Sequence, residues 1–203
     1  MARGMILGLQ SISRTTAMGS KREKPDKGIE ALHLKTLEAG TPGITSAFGE
    51  SLAQAASVCL EDQEHRNGTE MLVDGDFEIS FYLFWDEASD QTRRCWANPE
   101  VATEHGAYGI ATLLVLNLTE LTIVERSRRG TGFDYWLGPK ANPKPLFQGK
   151  ARLEVSGIRK GTDVAIRSRA REKLKQTERS NGMLPTMVIV VEFGAPRSRV
   201  LKR

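Results

Sequence analysis

Long apolar runs are missing from this 203-residue chain. None approaches the ~18 residues that a membrane-crossing helix needs, so no span is expected. Cysteine is almost absent: Cys59 and Cys95 form no CxxC pair, which predicts free thiols in a reducing cytoplasm and no zinc site. The three histidines, His33, His65 and His105, stand far apart and lack ligand spacing. No serine sits in a GxSxG frame, and GTGFDYWLG leads into a strand, unlike a phosphate-cradling glycine loop. What remains, 39% hydrophobic and 27% charged residues, is the composition of one soluble globular domain with a sizeable core.

The net charge of +4 conceals an uneven distribution. Residues 61 to 90 hold ten acids against Arg66 alone, whereas residues 150 to 179 hold ten basic residues against four acids. A basic surface of that kind suits a polyanionic ligand, unless the two segments neutralise each other in space. Residues 1 to 27 read as a disordered basic arm.

Along the chain, residues 29 to 39 have weak helical periodicity that ends at GTPG. Ile44, Phe48, Leu52, Ala55, Ala56 and Cys59 recur at three- and four-residue spacing, which predicts an amphipathic helix over 44–64. Asp74-Gly75 separates two β-like runs, as in a hairpin. Residues 86 to 98 read as loop, with Cys95 and Trp96 against the core. Pro99 opens a helix to about Thr119 that is apolar nearly all round and so should lie against a sheet. Glu104, Ala107, Tyr108 and Ala111 share one of its faces. Residues 162 to 180 form a basic helix whose seam is Ile166, Ala170 and Leu174. Arg167, Arg171 and Lys175 make one charged stripe and Arg169 and Lys173 another, and Asn181-Gly182 ends the helix. Residues 185 to 193 are apolar and β-branched, as a strand buried on both faces would be. The last residues form a short basic tail.

The most informative stretch is residues 119 to 157, which reads strand, tight turn, strand, loop, strand. Gly130 or Gly132 supplies the turn, and the loop with Pro139, Pro143 and Pro145 runs outside the sheet. Asp134 and Glu154 each stand among residues that suit a buried strand. A buried carboxylate costs several kcal/mol unless it is paired or binds a cation. The two either hold a divalent metal or point to solvent and pair with nearby arginines. Arg152 and Ser156 share the strand face of Glu154.

In order, these elements are helix with Glu104, strand, strand with Asp134, strand with Glu154-Val155-Ser156, basic helix, buried strand. That order resembles the restriction-endonuclease-like, PD-(D/E)xK nuclease superfamily. The resemblance implies an α/β fold with a mixed sheet and an αβββαβ core within residues 99–203, with residues 28–98 as a helix-and-hairpin addition packed on it. It implies that Asp134 and Glu154 ligate Mg2+ or Mn2+, with Glu104 as auxiliary ligand. The family's lysine, two residues after the third-strand acid, is Ser156 here, and Phe133 replaces the proline before the first acid. Arg152 or Lys150 could supply the lost charge, which would place Asp134, Glu154, Ser156 and Arg152 at the chemistry. Arg128, Arg129, Lys160, Arg167, Arg171 and Lys175 are the expected contacts to nucleic acid, DNA rather than RNA. With few aromatics among them, backbone contact with duplex is favoured over base stacking.

Three functions compete. The first is a metal-dependent endonuclease acting on DNA in a bacterial defence or DNA-processing system. The second is a catalytically silent subunit that binds nucleic acid and docks through segment 61–90 on a protein partner or a second copy of the chain. The third is a plain α/β interaction module that binds neither metal nor DNA.

Overall fold

The computed structural model describes residues 30–141, 151–178 and 184–203. The expected basic arm, the Asn181-Gly182 helix stop and most of the proline loop lie outside them. Eight strands form one mixed sheet: β1 (Glu30–His33), β2 (Thr69–Gly75), β3 (Ile79–Phe84), β4 (Leu121–Arg126), β5 (Tyr135–Pro139), β6 (Ala151–Ile158), β7 (Thr186–Glu192) and β8 (Arg197–Lys202). Their order across the sheet is β1-β3-β2-β8-β7-β6-β5-β4. β4, β5 and β6 run antiparallel in succession, β6 and β7 pair in parallel, and β8 returns antiparallel to β7.

Helices α1 (Ser46–Glu61) and α3 (Pro99–Leu118) cover one face of the sheet, and α4 (Asp163–Glu178) covers the other; α2 (Asp90–Cys95) is short. Each long helix starts where the sequence supplies a start. The Thr45 side chain accepts from Phe48 N at 3.3 Å. Asn98 Oδ1 accepts from Glu100 N at 2.9 Å, with Pro99 at the first helical position. α3 is apolar all round because it lies between α1 and the sheet. A Cβ at Gly106 would stand 3.0 Å from Ala56 Cα, so glycine permits the close approach to α1. Leu153 and Val155 of β6 and Met187, Ile189 and Val191 of β7 join this main core. On the opposite face, Ile166 and Ala170 of α4 pack on Val188 and Val190.

Three expectations are corrected. Residues 30 to 39 are strand β1 followed by a 3-10 turn, because parallel pairing with β3 and burial of Leu32 override a weak helical pattern. Segment 86–98 contains α2, and Cys95 on it is exposed, although Trp96 packs on the core. The basic tail is strand β8, hydrogen-bonded between β7 and β2 with Ser198 and Val200 fully buried. Within segment 30–98, β2, β3 and β1 continue the same sheet. Among the described residues, no helix is long and apolar enough to cross a membrane.

Candidate active site

The β4–β5 connection brings Asp134 back to the sheet. It is a loop over 127–134 and not the expected tight turn, and in it Gly130 and Gly132 both take positive φ, at 90° and 80°, which glycine adopts without strain. Asp134 stands just before β5, its N–H donating to Leu153 O at 2.9 Å and its carbonyl accepting from Ser127 N at 2.8 Å. Its Oδ2 accepts from Val155 N at 2.8 Å. The chain on either side of Glu154 thereby grips Asp134, and the two acidic side chains meet at one end of the sheet.

Glu154 itself is buried, and its Oε1 accepts from Lys173 Nζ of α4 at 2.6 Å. One turn earlier on α4, Arg169 NH1 donates to Ser156 Oγ at 3.1 Å. The Tyr108 hydroxyl of α3 lies 2.9 Å from Glu104 Oε1 and 3.1 Å from Asp134 Oδ1, and its single proton serves one at a time. A cavity of about 600 Å3 opens here, with Glu104, Tyr108, Asp134, Arg159, Arg169 and Lys173 in its lining.

The electrostatics follow from burial. The Glu154 carboxyl is pushed up to about 7, first by desolvation and then by the Asp134 charge, against the pull of Lys173. Burial also raises Asp134, offset by the Val155 N–H and the Tyr108 hydroxyl. Tyr108 is raised strongly by burial and by the Asp134 charge, so it stays a protonated donor. Burial thus raises both carboxyls, and the two titrate as an interacting pair.

Each residue expected from the sequence has a definite place. Asp134, Glu154 and Ser156 come together. Arg152 is buried, donating to Thr177 O at 3.0 Å and Leu184 O at 2.9 Å, so its guanidinium ties down the end of α4 and is not among the groups lining the cavity. Lys150 lies outside the described residues. Glu104 is exposed and reaches Asp134 only through Tyr108. Among the described residues no set of three or more His, Cys, Asp or Glu gathers to hold a metal ion. Arg128, Arg129, Lys160, Arg167, Arg171 and Lys175 are all exposed, the last three on the flank of α4 turned away from the cavity. Lys173, Arg169, Tyr108 and Arg159 enter the site without having been expected there. The Arg169/Lys173 stripe and the Glu104/Tyr108 spacing were the available signals.

No family model, curated protein or solved structure matches this chain.

The donor set suits a hard divalent cation. Two desolvated carboxylates side by side gain from a metal, and Mg2+ typically takes one or two protein carboxylates and completes its shell with water and substrate phosphate. Asp134 and Glu154 meet that requirement with oxygen ligands alone.

Proposed function

We propose that this chain is a metal-dependent endonuclease that hydrolyses phosphodiester bonds in DNA, built on a restriction-endonuclease-like core. The order α3, β4, β5, β6, α4, β7 is the αβββαβ sequence that the resemblance implies. The observation that carries the proposal is the Lys173 ammonium 2.6 Å from Glu154, beside Asp134. The position two residues beyond Glu154 lacks a lysine, and α4 delivers one to the same carboxylate.

Asp134 and Glu154 would hold Mg2+ or Mn2+. The metal, when bound, supplies a water of lowered pKa and neutralises charge on the leaving oxygen. The chain's own groups do the rest. Tyr108 and the Val155 N–H keep Asp134 oriented and ionised. Lys173 is a cation poised at the edge of the cavity, where it can steady the charge of a phosphate at the acid pair. Arg128, Arg129 and the basic flanks of α4 would meet the strand backbone, whose phosphates carry no sequence information.

Incubating supercoiled plasmid with the purified protein and Mg2+ or Mn2+, beside Asp134→Ala and Glu154→Ala, tests this directly. Metal-dependent cutting that both substitutions abolish is expected. No cutting under any metal, with salt-sensitive DNA binding unchanged by either substitution, would overturn it in favour of a silent DNA-binding subunit.

A further inference from the structure

We propose that Arg159 and Arg169 form a phosphate-binding subsite in this cavity, which holds a backbone phosphate next to the one at Asp134 and Glu154, and that Asp62 aims Arg159 at it. The inference rests on the reading that a nucleic-acid strand enters this cavity.

The three cations of the cavity are not equivalent. Lys173 bonds Glu154 and so stands at the acid pair itself. Arg169, four residues earlier and ~6 Å away along the helix, donates to the neutral Ser156 hydroxyl. Its nearest acid, Glu172, is 3.8 Å away and its side chain 75% exposed, a pairing that neutralises little. Its charge is therefore available to an anion. Arg159 leaves the end of β6 on the other side of Ser156 and lines the same cavity. Its NH2 donates to Asp62 Oδ2 at 2.6 Å. Arg93 also approaches Asp62, at 3.5 Å, but its closer partner is Glu61.

Asp62, at the end of α1, therefore acts on Arg159 as a tether: it takes one edge of the guanidinium and fixes its direction. The Arg159 NH1 nitrogen is buried and the guanidinium charge reaches the buried Cys59 thiol, whereas the side chain as a whole is 31% exposed and lines the cavity. Two guanidinium groups lining one cavity suit the oxygens of a phosphate better than those of any other common anion except carboxylate. Segment 28–98 thereby has a role at the site, through Asp62.

The test is fluorescence anisotropy of a labelled DNA duplex, with Ca2+ in place of Mg2+, across a salt series. The variants are Arg159→Gln, Arg159→Lys, Arg169→Gln and Asp62→Asn, each checked for folding by thermal melting. Each glutamine variant should bind about tenfold more weakly, with the slope of log affinity against log salt reduced by about one. Arg159→Lys should recover the slope without the full affinity, and Asp62→Asn should weaken binding while leaving the slope unchanged. Wild-type affinity and slope in both Arg169→Gln and Arg159→Lys would overturn the subsite even if Arg159→Gln fails to fold. Such a result would leave Asp134-dependent plasmid cutting untouched, whereas a wild-type protein that never cuts would sink the nuclease reading and leave the anisotropy result standing.

Discussion

If the proposed reading holds, the chemistry turns on Glu154, a buried carboxyl between two opposed neighbours. Burial and Asp134 push its carboxyl up to about 7, and Lys173 resists. Between the ordinary glutamate value of about 4.3 and about 7, the folded chain keeps a proton that the unfolded chain has released. The stability this contributes is fully present below that window and is lost as pH rises through 7. Urea midpoints should therefore fall from pH 5.5 to pH 8, and the fall should shrink in Glu154→Gln. The same proton competes with a cation, so Mn2+ affinity followed by calorimetry should rise with pH up to about 7 and then level off. Arg152 belongs to a different class. Removing a buried guanidinium that binds one carbonyl at the end of α4 and another just before β7 strands those acceptors, and Arg152→Met should cost about 3 kcal/mol in chemical denaturation. From sequence, Asp134 and Glu154 were legible because acids are out of place among strand residues. Lys173 was not, since nothing in a stripe of helical charges says which flank faces the sheet end.

At the scale of elements, period and punctuation explain what could be read. α1, α3 and α4 are long, with apolar seams or capping residues of their own, and the β2–β3 hairpin announces itself by Asp74-Gly75, where Gly75 takes a φ of 103°. β8 was hidden by its composition. Arg197 and Arg199 alternate with buried Ser198 and Val200, which is a strand's period of two, yet the run is short and its partner β2 lies more than a hundred residues away in sequence. β8 is the strip that joins the β1–β3 half of the sheet to the β4–β7 half. Ending the chain at Pro196 should expose the edges of both β7 and β2 and prevent cooperative folding, seen as loss of a urea transition. The milder Val200→Ala removes two buried methyl groups and should cost ~2 kcal/mol by the same measurement.

For the whole molecule, the charge imbalance of the sequence resolves partly by internal pairing. Glu61, Asp62, Asp74 and Asp86 of the acidic segment meet Arg93, Arg159, Arg199 and Lys35. That reduces what segment 61–90 can offer a partner, while Arg167, Arg171 and Lys175 remain exposed on α4. The molecule thus presents a basic helix beside a cavity lined by Asp134 and by Lys173, the lysine that the strand motif lacks, which bonds the buried Glu154. The central claim is that α4 supplies this catalytic charge. The measurement that tests it most directly is Mn2+-dependent plasmid cleavage at pH 8 by Lys173→Met beside wild type, with Mn2+ binding measured on both. Loss of a charge that stabilises the transition state should slow cleavage by about 10²–10³, while Mn2+ binds at least as tightly because a competing cation is gone. Cleavage at the wild-type rate by Lys173→Met would contradict the account.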